Sequence, residues 1–327
     1  MSASEPGEVN QTWRPSATLE TLRARARLYA DVRRFFFERQ VLEVDTPVMS
    51  AHATVDRHIE SFELAGGGWL QTSPEFAMKR LLCAGAGPIF QIAPVFRRHE
   101  QGRHHNPEFR LLEWYRPGWN YQMLMSECEA LLHVLLGISA RFERITYRQA
   151  FAATLGFDAV ALGADALARA AAQSDVSIPL NLSDAERADP DLWLDLFMSQ
   201  LVGPRLGWPV PVFVFDFPAS QAALARVRAD EPPVAERFEM FWNGVELANG
   251  FQELTDATTQ RARFEADQNW RRRLGKQLPP FDQPLIDALA AGMPECAGVA
   301  LGLDRLLQLK LGLDDVARTM SFAHGRA

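Results

Sequence analysis

The sequence contains few cysteines and no spacing that would pair them. The three that occur, Cys83, Cys128 and Cys296, lie far apart, and none belongs to a Cys-x-x-Cys pair. Disulfide frameworks and cysteine zinc sites both require clustered or regularly spaced cysteines. The sequence therefore argues against both, and a reduced, cytoplasmic protein is expected.

Long hydrophobic runs are also missing. No uncharged stretch reaches the roughly eighteen apolar residues that a membrane-spanning helix needs. The first residues, MSASEPGEVNQTW, have neither the basic start nor the apolar centre of a signal peptide. We therefore expect no association with a membrane.

An excess of positive charge is absent as well. The formal net charge is -7 and the pI is about 5.6, which argues against broad attachment to nucleic acid or anionic membranes. The 327 residues are 47% hydrophobic and 23% charged. This composition is typical of a globular protein with one large domain or two ordinary ones.

The spacing of apolar residues predicts both helices and strands. A helix is predicted over residues 18–39, after a flexible segment at residues 1–17, and residues 117–175 should be mostly helical. Residues 140–210 carry the weakest signals and are interpreted as an insertion or accessory region within a domain that spans residues 18–327. The predicted strands are VLEVDTP (41–47), the start of WLQTSPEF (69–76), PIFQIAPVFR (88–97), EFRLLEWYR (108–116), PVFVFDF (211–217), a hairpin over 237–251 and the glycine-containing segment that begins at 298.

The predicted hairpin brings two carboxylates together. Asn243-Gly244 between two apolar runs indicates a two-residue type I′ turn. In the register that this turn sets, Glu239 faces Ala248, and Glu239 and Glu246 share one face of the hairpin as diagonal neighbours. Two such carboxylates repel each other unless a cation lies between them, and Mg²⁺ that also binds phosphate oxygens would meet this need. The alternative is a solvated hairpin face with incidental acids.

Cationic side chains are concentrated between the strands at 88–97 and 108–116. Arg97 ends the first strand, and the loop after it contains Arg98, His99, Arg103, His104 and His105. Guanidinium groups at the end of a rigid strand suit phosphate oxygens, because the planar fork donates two hydrogen bonds at once. A solvated basic loop is the alternative. A zinc site at His99, His104 and His105 is disfavoured, because no cysteine or further histidine lies nearby in the sequence.

The strand after this loop carries a carboxylate and a phenol on one face. Glu113 and Tyr115 are two residues apart, so their side chains point the same way. Together they could hold an ammonium group, or they could form an edge-strand pair that faces water.

A glycine-rich segment, Gly298-Val-Ala-Leu-Gly302-Leu-Asp-Arg305, lies near the end of the chain. Its small residues allow the backbone to approach a ligand, and Arg305 could reach a terminal phosphate. The segment lacks the Gly-Lys-Ser/Thr ending of a P-loop and the βαβ setting of a Rossmann fingerprint. Alternatively, Arg305 is a surface arginine on a helix whose leucines pack inward.

The order of these motifs is more specific than any one of them. VLEVDTP, then FRxxE…RHHNPEF, then GLDR after glycines resembles the three signature motifs of class II aminoacyl-tRNA synthetases, and HNPEF with ELANGFQELTD resembles the lysyl branch. The length, FPASQ, MPECAGVALGLDR and LLEWYRP are similar to the short elongation factor P–(R)-β-lysine ligases. The resemblance implies an α+β fold with an antiparallel sheet flanked by helices, use of ATP and Mg²⁺, and no anticodon-binding domain. It also implies a homodimer formed partly through helix 18–39 and the VLEVDTP strand.

The resemblance also implies roles for individual residues. Arg97 would bind the α-phosphate of ATP and Arg305 the γ-phosphate, as the catalytic pair, and Glu239 and Glu246 would bind Mg²⁺. The other residues expected to bind ATP are Arg98, His99, Glu100, Asn106, Leu247 and Gly302, with Glu246 contributing to both sites. The amino-acid pocket would consist of Ser73, Pro74, Glu75, Glu113, Tyr115, Glu253 and Ala300.

Two positions depart from the synthetase pattern. The usual FRxE has His99 at the acidic position here, with Glu100 one residue later, so the role of that acid could fall to either. Ala300 replaces a glycine of the lysyl synthetases, and its methyl group should disfavour an α-amino group and suit a β-amino acid.

The expected activity is therefore the activation of (R)-β-lysine, or lysine, as an acyl-adenylate and its transfer to a lysine of elongation factor P. The alternatives are the charging of tRNA, against which the expected lack of an anticodon domain argues, and a catalytically silent paralogue that senses an amino acid.

Overall fold

The computed structural model describes residues 13–326, and this part of the chain contains helices and strands in mixed order. The α-helices are α1 (Leu19–Phe37), α2 (Glu75–Cys83), α3 (Tyr121–Leu136), α4 (Tyr147–Leu155), α5 (Ala164–Ala172), α6 (Asp184–Arg187), α7 (Pro190–Phe197), α8 (Ala257–Arg273), α9 (Gln283–Ala291) and α10 (Leu303–Lys310). The strands are β1 (Leu42–Glu43), β2 (Met49–Ser50), β3 (Trp69–Leu70), β4 (Ile89–Phe96), β5 (Glu108–Pro117), β6 (Glu143–Thr146), β7 (Val212–Pro218), β8 (Val227–Arg228), β9 (Val234–Trp242), β10 (Val245–Gln252) and β11 (Cys296–Gly302).

One sheet dominates the fold, in the order β1-β4-β5-β11-β10-β9-β7-β6, with β8 paired to β9. Neighbouring strands are antiparallel except at its two ends, where β1 runs parallel to β4 and β6 parallel to β7. Helices flank this sheet, so the predicted α+β fold with a largely antiparallel sheet is confirmed.

Helix α1 covers one face of the sheet, as its apolar spacing predicts. The Thr18 hydroxyl accepts a hydrogen bond from the Thr21 amide and caps the helix start. Phe36 is fully buried, and its ring stacks on Phe90 with centroids 4.5 Å apart and lies 5.4 Å from Trp114. Helices α3 and α10 contribute to the same hydrophobic core.

The weakly patterned region 140–210 packs on the opposite face. Strand β6 extends the sheet edge, and the helices α4, α5 and α7 bury Phe151, Trp193 and Phe197 in a second core. Val212 and Val214 of the central sheet belong to that core as well. The accessory region is therefore continuous with the rest of the domain.

The tip of the β9–β10 hairpin is bonded to this accessory region. Asn243 and Gly244 have φ angles of 51° and 75°, so the predicted type I′ turn is confirmed. The amide of Asn243 donates to the carbonyl of Gly207, and that of Gly244 to the carbonyl of Leu206, both at 2.9 Å.

The predicted register of the hairpin is wrong beyond its first pairs. Glu246 faces Phe241 as expected, but the register shifts between Glu246 and Ala248, and Glu239 pairs with Asn249 instead of Ala248. A bulge inserts one unpaired residue and restores the alternation after it. Glu239 and Glu246 therefore still share a face.

Two other predicted strands are shorter than expected. VLEVDTP forms a ladder only at Leu42–Glu43, and Thr46 instead donates a side-chain hydrogen bond to Gln91. WLQTSPEF is a strand only at Trp69–Leu70, and α2 begins at Glu75. The Ser73 hydroxyl accepts a hydrogen bond from the Glu75 amide at 3.0 Å, and Pro74 is the residue at the N-terminal cap of α2.

The segment predicted to be flexible, residues 1–17, lies mostly outside the described residues. At its end, the amides of Ser16 and Ala17 donate to the carbonyls of Ser321 and Met320, and Ala17 is buried. Among the helices of residues 13–326, none has both the length and the apolar content needed to cross a bilayer.

Candidate active site

A cavity of about 360 Å³ opens over the centre of the large sheet. The residues that line it belong to α2, to the strand ends of β4 and β5, to β10 and β11, and to the start of α10. Most residues that the resemblance singles out line it, namely Ser73, Pro74, Glu75, Arg97, Glu100, Asn106, Glu113, Tyr115, Glu246, Leu247, Glu253, Ala300, Gly302 and Arg305.

Strand β11 forms the floor of this cavity with small residues. Ala300 pairs with Glu113 on one side and Asn249 on the other, so these three side chains point to the same face of the sheet. Gly298 lies in the same way between Tyr115 and Phe251. A methyl group on Gly298 would lie 2.3 Å from both a Tyr115 ring carbon and the Glu253 Oε1 atom, so no side chain fits there.

Glu113 is fixed by two hydroxyl groups. Its Oε2 atom accepts a hydrogen bond from the Ser73 hydroxyl at 2.7 Å, and its Oε1 atom accepts one from the Tyr115 hydroxyl at 2.6 Å. Burial raises the pKa of Glu113 to about 7, with a further contribution from the charge of Glu75, although the two hydroxyl bonds oppose the rise. The predicted pair of Glu113 and Tyr115 is therefore inside the protein and not on a wet strand edge.

A second pair of carboxylates shares a buried ammonium group. The Lys79 Nζ atom lies 2.7 Å from Glu75 Oε1 and 2.5 Å from Glu253 Oε2. Burial raises the pKa of Glu253 to about 8 in spite of the nearby ammonium group. Burial alone would lower the pKa of Lys79, but Glu253 and Glu75 raise it above its ordinary value.

Arg97 follows β4 directly in the sequence and lines a part of the cavity separate from the carboxylates just described. Its guanidinium is 5.1 Å from the centroid of the Phe109 ring, and its Nε atom donates to the carbonyl of Thr72 at 3.3 Å. Glu100 approaches it at 3.6 Å. These contacts leave donors of Arg97 for an anionic ligand in the cavity.

Arg305, in the first turn of α10, is held by three contacts. It donates to the carbonyls of His104 and Glu246, both at 3.0 Å, and its Nη2 atom lies 2.6 Å from the Nε2 atom of His105. Burial and the charge of Arg305 lower the pKa of His105, so this imidazole can accept the bond in its neutral form. The basic loop and the glycine-rich segment therefore form one cationic wall.

The structure does not bring every predicted residue to the cavity. Arg98 is exposed, and His99 points to Glu60 at 3.5 Å, so Glu100 is the residue of this pair that lines the cavity. Asn106 lines it, but its amide donates to the carbonyl of Glu108 and accepts from the amide of His324.

Glu239 lies beyond the cavity wall, on the next strand. Its Oε1 atom accepts from the Arg237 Nη2 atom at 2.6 Å, and Arg237 also donates to the Asn249 side chain. Burial and the negative charge of Glu246 raise the pKa of Glu239 to about 7, although Arg237 opposes the rise.

The described residues contain no cluster of three or more histidine, cysteine, aspartate or glutamate side chains that could hold a metal ion. A cation at the hairpin would therefore depend on Glu239, Glu246 and oxygen atoms of a ligand. The three loop histidines have separate contacts, His99 with Glu60, His104 with the side chain of Gln308, and His105 with Arg305.

Three residues of the site were not found from the sequence. Lys79 is four residues after Glu75 on a helix, a spacing that places the two side chains together and could have revealed it. Asn249 follows from the sheet register, which requires the position of the bulge. Phe109 lies in the sequence between predicted site residues and gave no separate signal.

Known proteins resemble this chain over nearly its full length. Residues 10–326 match the family of class II tRNA synthetases (D, K and N). The elongation factor P–(R)-β-lysine ligases of Salmonella dublin and Salmonella enteritidis are each 47% identical to it over 325 residues, which cover 97% of this chain and 98% of theirs. The three motifs, the antiparallel sheet and the cavity that they line thus have one explanation: the chain belongs to the class II tRNA synthetase family.

Proposed function

We propose that this protein activates (R)-β-lysine with ATP and transfers it to a lysine side chain of elongation factor P. The observation that carries the proposal is the division of one cavity into a cationic wall and an anionic pocket. The wall contains Arg97 and Arg305, and the pocket contains Glu75, Glu113 and Glu253. The names of the relatives that match over nearly the whole chain support this choice of substrates.

The first step joins the amino acid to AMP. A carboxylate oxygen of the substrate attacks the α-phosphorus of ATP, the bond to the bridging oxygen of the β-phosphate breaks, and pyrophosphate leaves. Arg97 and Arg305 stabilise the negative charge that accumulates on phosphate oxygens, so positioning and electrostatics suffice and no enzyme nucleophile is needed.

Glu246 and Glu239 fit a magnesium ion that accompanies ATP. The charge of Glu246 opposes the ionisation of Glu239, an effect that a divalent cation would offset, and Glu246 lines the cavity beside Arg305. Such an ion supplies positive charge to the phosphates when bound. The carbonyl of Glu246 already accepts from Arg305, so the hairpin and the arginine are positioned together.

The second step forms an amide. A neutral ε-amine of the acceptor lysine attacks the carbonyl carbon of the acyl-adenylate, AMP leaves with the electrons of the broken mixed-anhydride bond, and the amine loses a proton. Glu113 with its two hydroxyl partners, and Glu75 with Glu253, hold the ammonium groups of the aminoacyl part meanwhile.

The methyl group of Ala300 lies where it can distinguish isomers. It is the cross-strand neighbour of Glu113 on one side and of Asn249 on the other, so the methyl lies beside both side chains on the floor. We propose that this methyl favours an amino group on the β carbon over one on the α carbon.

A dimer is part of the proposal. The side chains of Phe37 and Leu42 are 82% and 55% exposed, and Met49 is 58% exposed. They belong to α1, to the edge strand β1 of the large sheet and to β2 of the separate two-stranded sheet. A second copy of the chain would cover these apolar groups, which otherwise face water.

The proposed activity is tested by mass spectrometry of elongation factor P after incubation with the protein, ATP and either (R)-β-lysine or α-lysine. We expect a mass increase of one lysyl group, mapped to a lysine side chain, with faster modification by β-lysine. Labelled tRNA as the acceptor is the control. Transfer to tRNA at a similar rate, or no amino-acid-dependent ATP–pyrophosphate exchange at all, would contradict the proposal.

Replacement of Glu246 tests the hairpin carboxylates. Glu246→Ala should lower the rate of ATP–pyrophosphate exchange by about 100-fold or more, because it removes a carboxylate that would hold a cation against the phosphates. The melting temperature should stay near that of the wild type. Glu108→Ala, which removes an exposed carboxylate outside the cavity, is the control, and equal exchange rates in both variants would refute the assignment.

Ala300→Gly tests the floor of the pocket. Loss of the methyl should shift the ratio of kcat/KM values toward α-lysine by about tenfold, because one methyl in a tight pocket gives about 1–3 kcal/mol of discrimination. Ala297→Gly controls for a new glycine in the same strand, since Ala297 belongs to the core on the other face. An unchanged ratio in Ala300→Gly would remove Ala300 from the selectivity argument.

Sedimentation of the protein should give twice the mass of the 36.7 kDa chain. Phe37→Asp should shift the equilibrium to the monomer, because it places a charge at the proposed interface. Leu180→Asp is the control, since Leu180 is 93% exposed in the accessory region. A wild-type monomer at micromolar concentration would exclude the dimer.

A further inference from the structure

Lys79 lies behind the anionic pocket and not in its wall. Its side chain is 1% exposed, that of Glu253 is 0% exposed, and that of Glu75 is 17% exposed. The ammonium group lies close to one oxygen of each carboxylate. The second Glu253 oxygen, Oε1, lies over Gly298 on the floor of the cavity.

Burying an ammonium group in this space has a high desolvation cost. Removing two or more charges from water costs more than their attraction usually returns, and a well-packed apolar side chain is often as stable. Lys79 also lies 5.6 Å from the centroid of the Phe251 ring, in surroundings that would accept a hydrocarbon. A stabilising role alone therefore does not account for a lysine at this position.

An apolar side chain at residue 79 would change the pocket itself. Glu75 and Glu253 approach the same point from α2 and from the end of β10, and Glu113 lies close enough for its charge to raise the pKa of Glu253. Without a cation, three carboxylates would share one enclosed space, and protons would neutralise them. A protonated carboxyl group is a poor partner for a substrate ammonium group.

We propose that Lys79 is a positioning residue that acts through Glu75 and Glu253 and sets the charge of the pocket to suit a substrate with two ammonium groups. Three carboxylates and one fixed ammonium leave two negative charges when all are ionised. A diamino acid neutralises these two charges, whereas an amino acid with one ammonium group leaves one of them buried and unpaired. This inference rests on the proposed function for the identity of the diamine.

The ionisable groups that face Lys79 and Glu253 come from every element around them. The carboxylates are those of Glu75 on α2, of Glu113 on β5 and of Glu253 itself. The hydroxyl is that of Tyr115 on β5, and the thiols are those of Cys83 and Cys296. Lys79 is the cation that acts on Glu253, and it also lowers the pKa of Glu113. Its removal should therefore raise the pKa of both carboxylates.

The substrate ammonium groups need ionised carboxylates, so kcat/KM should increase with pH as these carboxyl groups lose their protons. In the wild type, kcat/KM for the amino acid should rise as the pH passes through about 7 to about 8, where Glu113 and Glu253 lose their protons. In Lys79→Met this acid limb should move to higher pH by about 1 unit or more. The KM should rise about tenfold at pH 7, with a smaller effect on kcat.

The experiment compares three variants in ATP–pyrophosphate exchange with (R)-β-lysine between pH 6 and pH 9. Lys79→Met removes the charge, and Lys79→Arg keeps it and should leave the acid limb at its wild-type position. Arg116→Met is the matched control, because it removes a buried cation that pairs with Glu127 on the other face of the sheet. It should lower the melting temperature without moving the acid limb.

A ligand-free measurement separates this inference from the proposed function. Carboxyl groups whose pKa is raised on folding stabilise the protein at low pH, and this stability is lost as the pH rises through the folded pKa. Lys79→Met should raise the pKa values of Glu113 and Glu253 further. The melting temperature of this variant should therefore fall further below that of the wild type as the pH increases from 6 to 9. The double variant Lys79→Met/Glu75→Gln removes one charge of each sign, so its deficit in melting temperature should change less between pH 6 and pH 9. It also allows the measurement if the single variant does not fold.

The outcomes are distinct. A shifted acid limb in Lys79→Met but not in Lys79→Arg or Arg116→Met, together with a widening deficit, supports the inference. An unmoved limb and a constant deficit would overturn it and leave Lys79 as part of the packing. If the wild type shows no exchange with β-lysine, the proposed function fails, and the ligand-free deficit alone then decides whether Lys79 sets the charge of the pocket.

Discussion

The cavity depends on how closely side chains from neighbouring strands approach across the smallest residues of the sheet. Gly298 and Ala300 lie at the centre of β11, with β5 on one side and β10 on the other. The missing side chain at Gly298 leaves the space in which Tyr115 and Glu253 meet. A larger residue there would fill the pocket and would separate the groups that are proposed to recognise the amino acid.

The close approach of the strands also concentrates carboxylates in an enclosed space. The contacts around each carboxylate reduce the free-energy cost of burying it. Two hydroxyl groups donate to Glu113, Lys79 lies between Glu75 and Glu253, and Arg237 donates to Glu239. Buried charges are tolerated when they are paired and hydrogen-bonded. Burial nevertheless raises the pKa values of Glu113, Glu239 and Glu253 above those of free carboxyl groups.

Much of the fold could be predicted from the sequence, because periodicity and turn chemistry are local. The helix at 18–39, the strands β4 and β5 and the type I′ turn at Asn243-Gly244 follow from patterns within a few residues. The bulge near Leu247 could not be predicted, since it depends on packing against a neighbouring strand. For the same reason the sequence did not show that Glu239 lies outside the cavity wall. The place of Lys79 behind the wall depends on how α2 packs, which its helical spacing from Glu75 alone does not give.

The two backbone hydrogen bonds at the tip of the β9–β10 hairpin join this hairpin to a region that is distant in the sequence. They connect the turn that precedes Glu246 to Leu206 and Gly207 at the end of the accessory region. Local opening of a protein proceeds in contiguous cooperative units. Local opening of the hairpin tip would therefore have to break both bonds to the accessory region, so the start of the strand that carries Glu246 is tethered to residues 206 and 207.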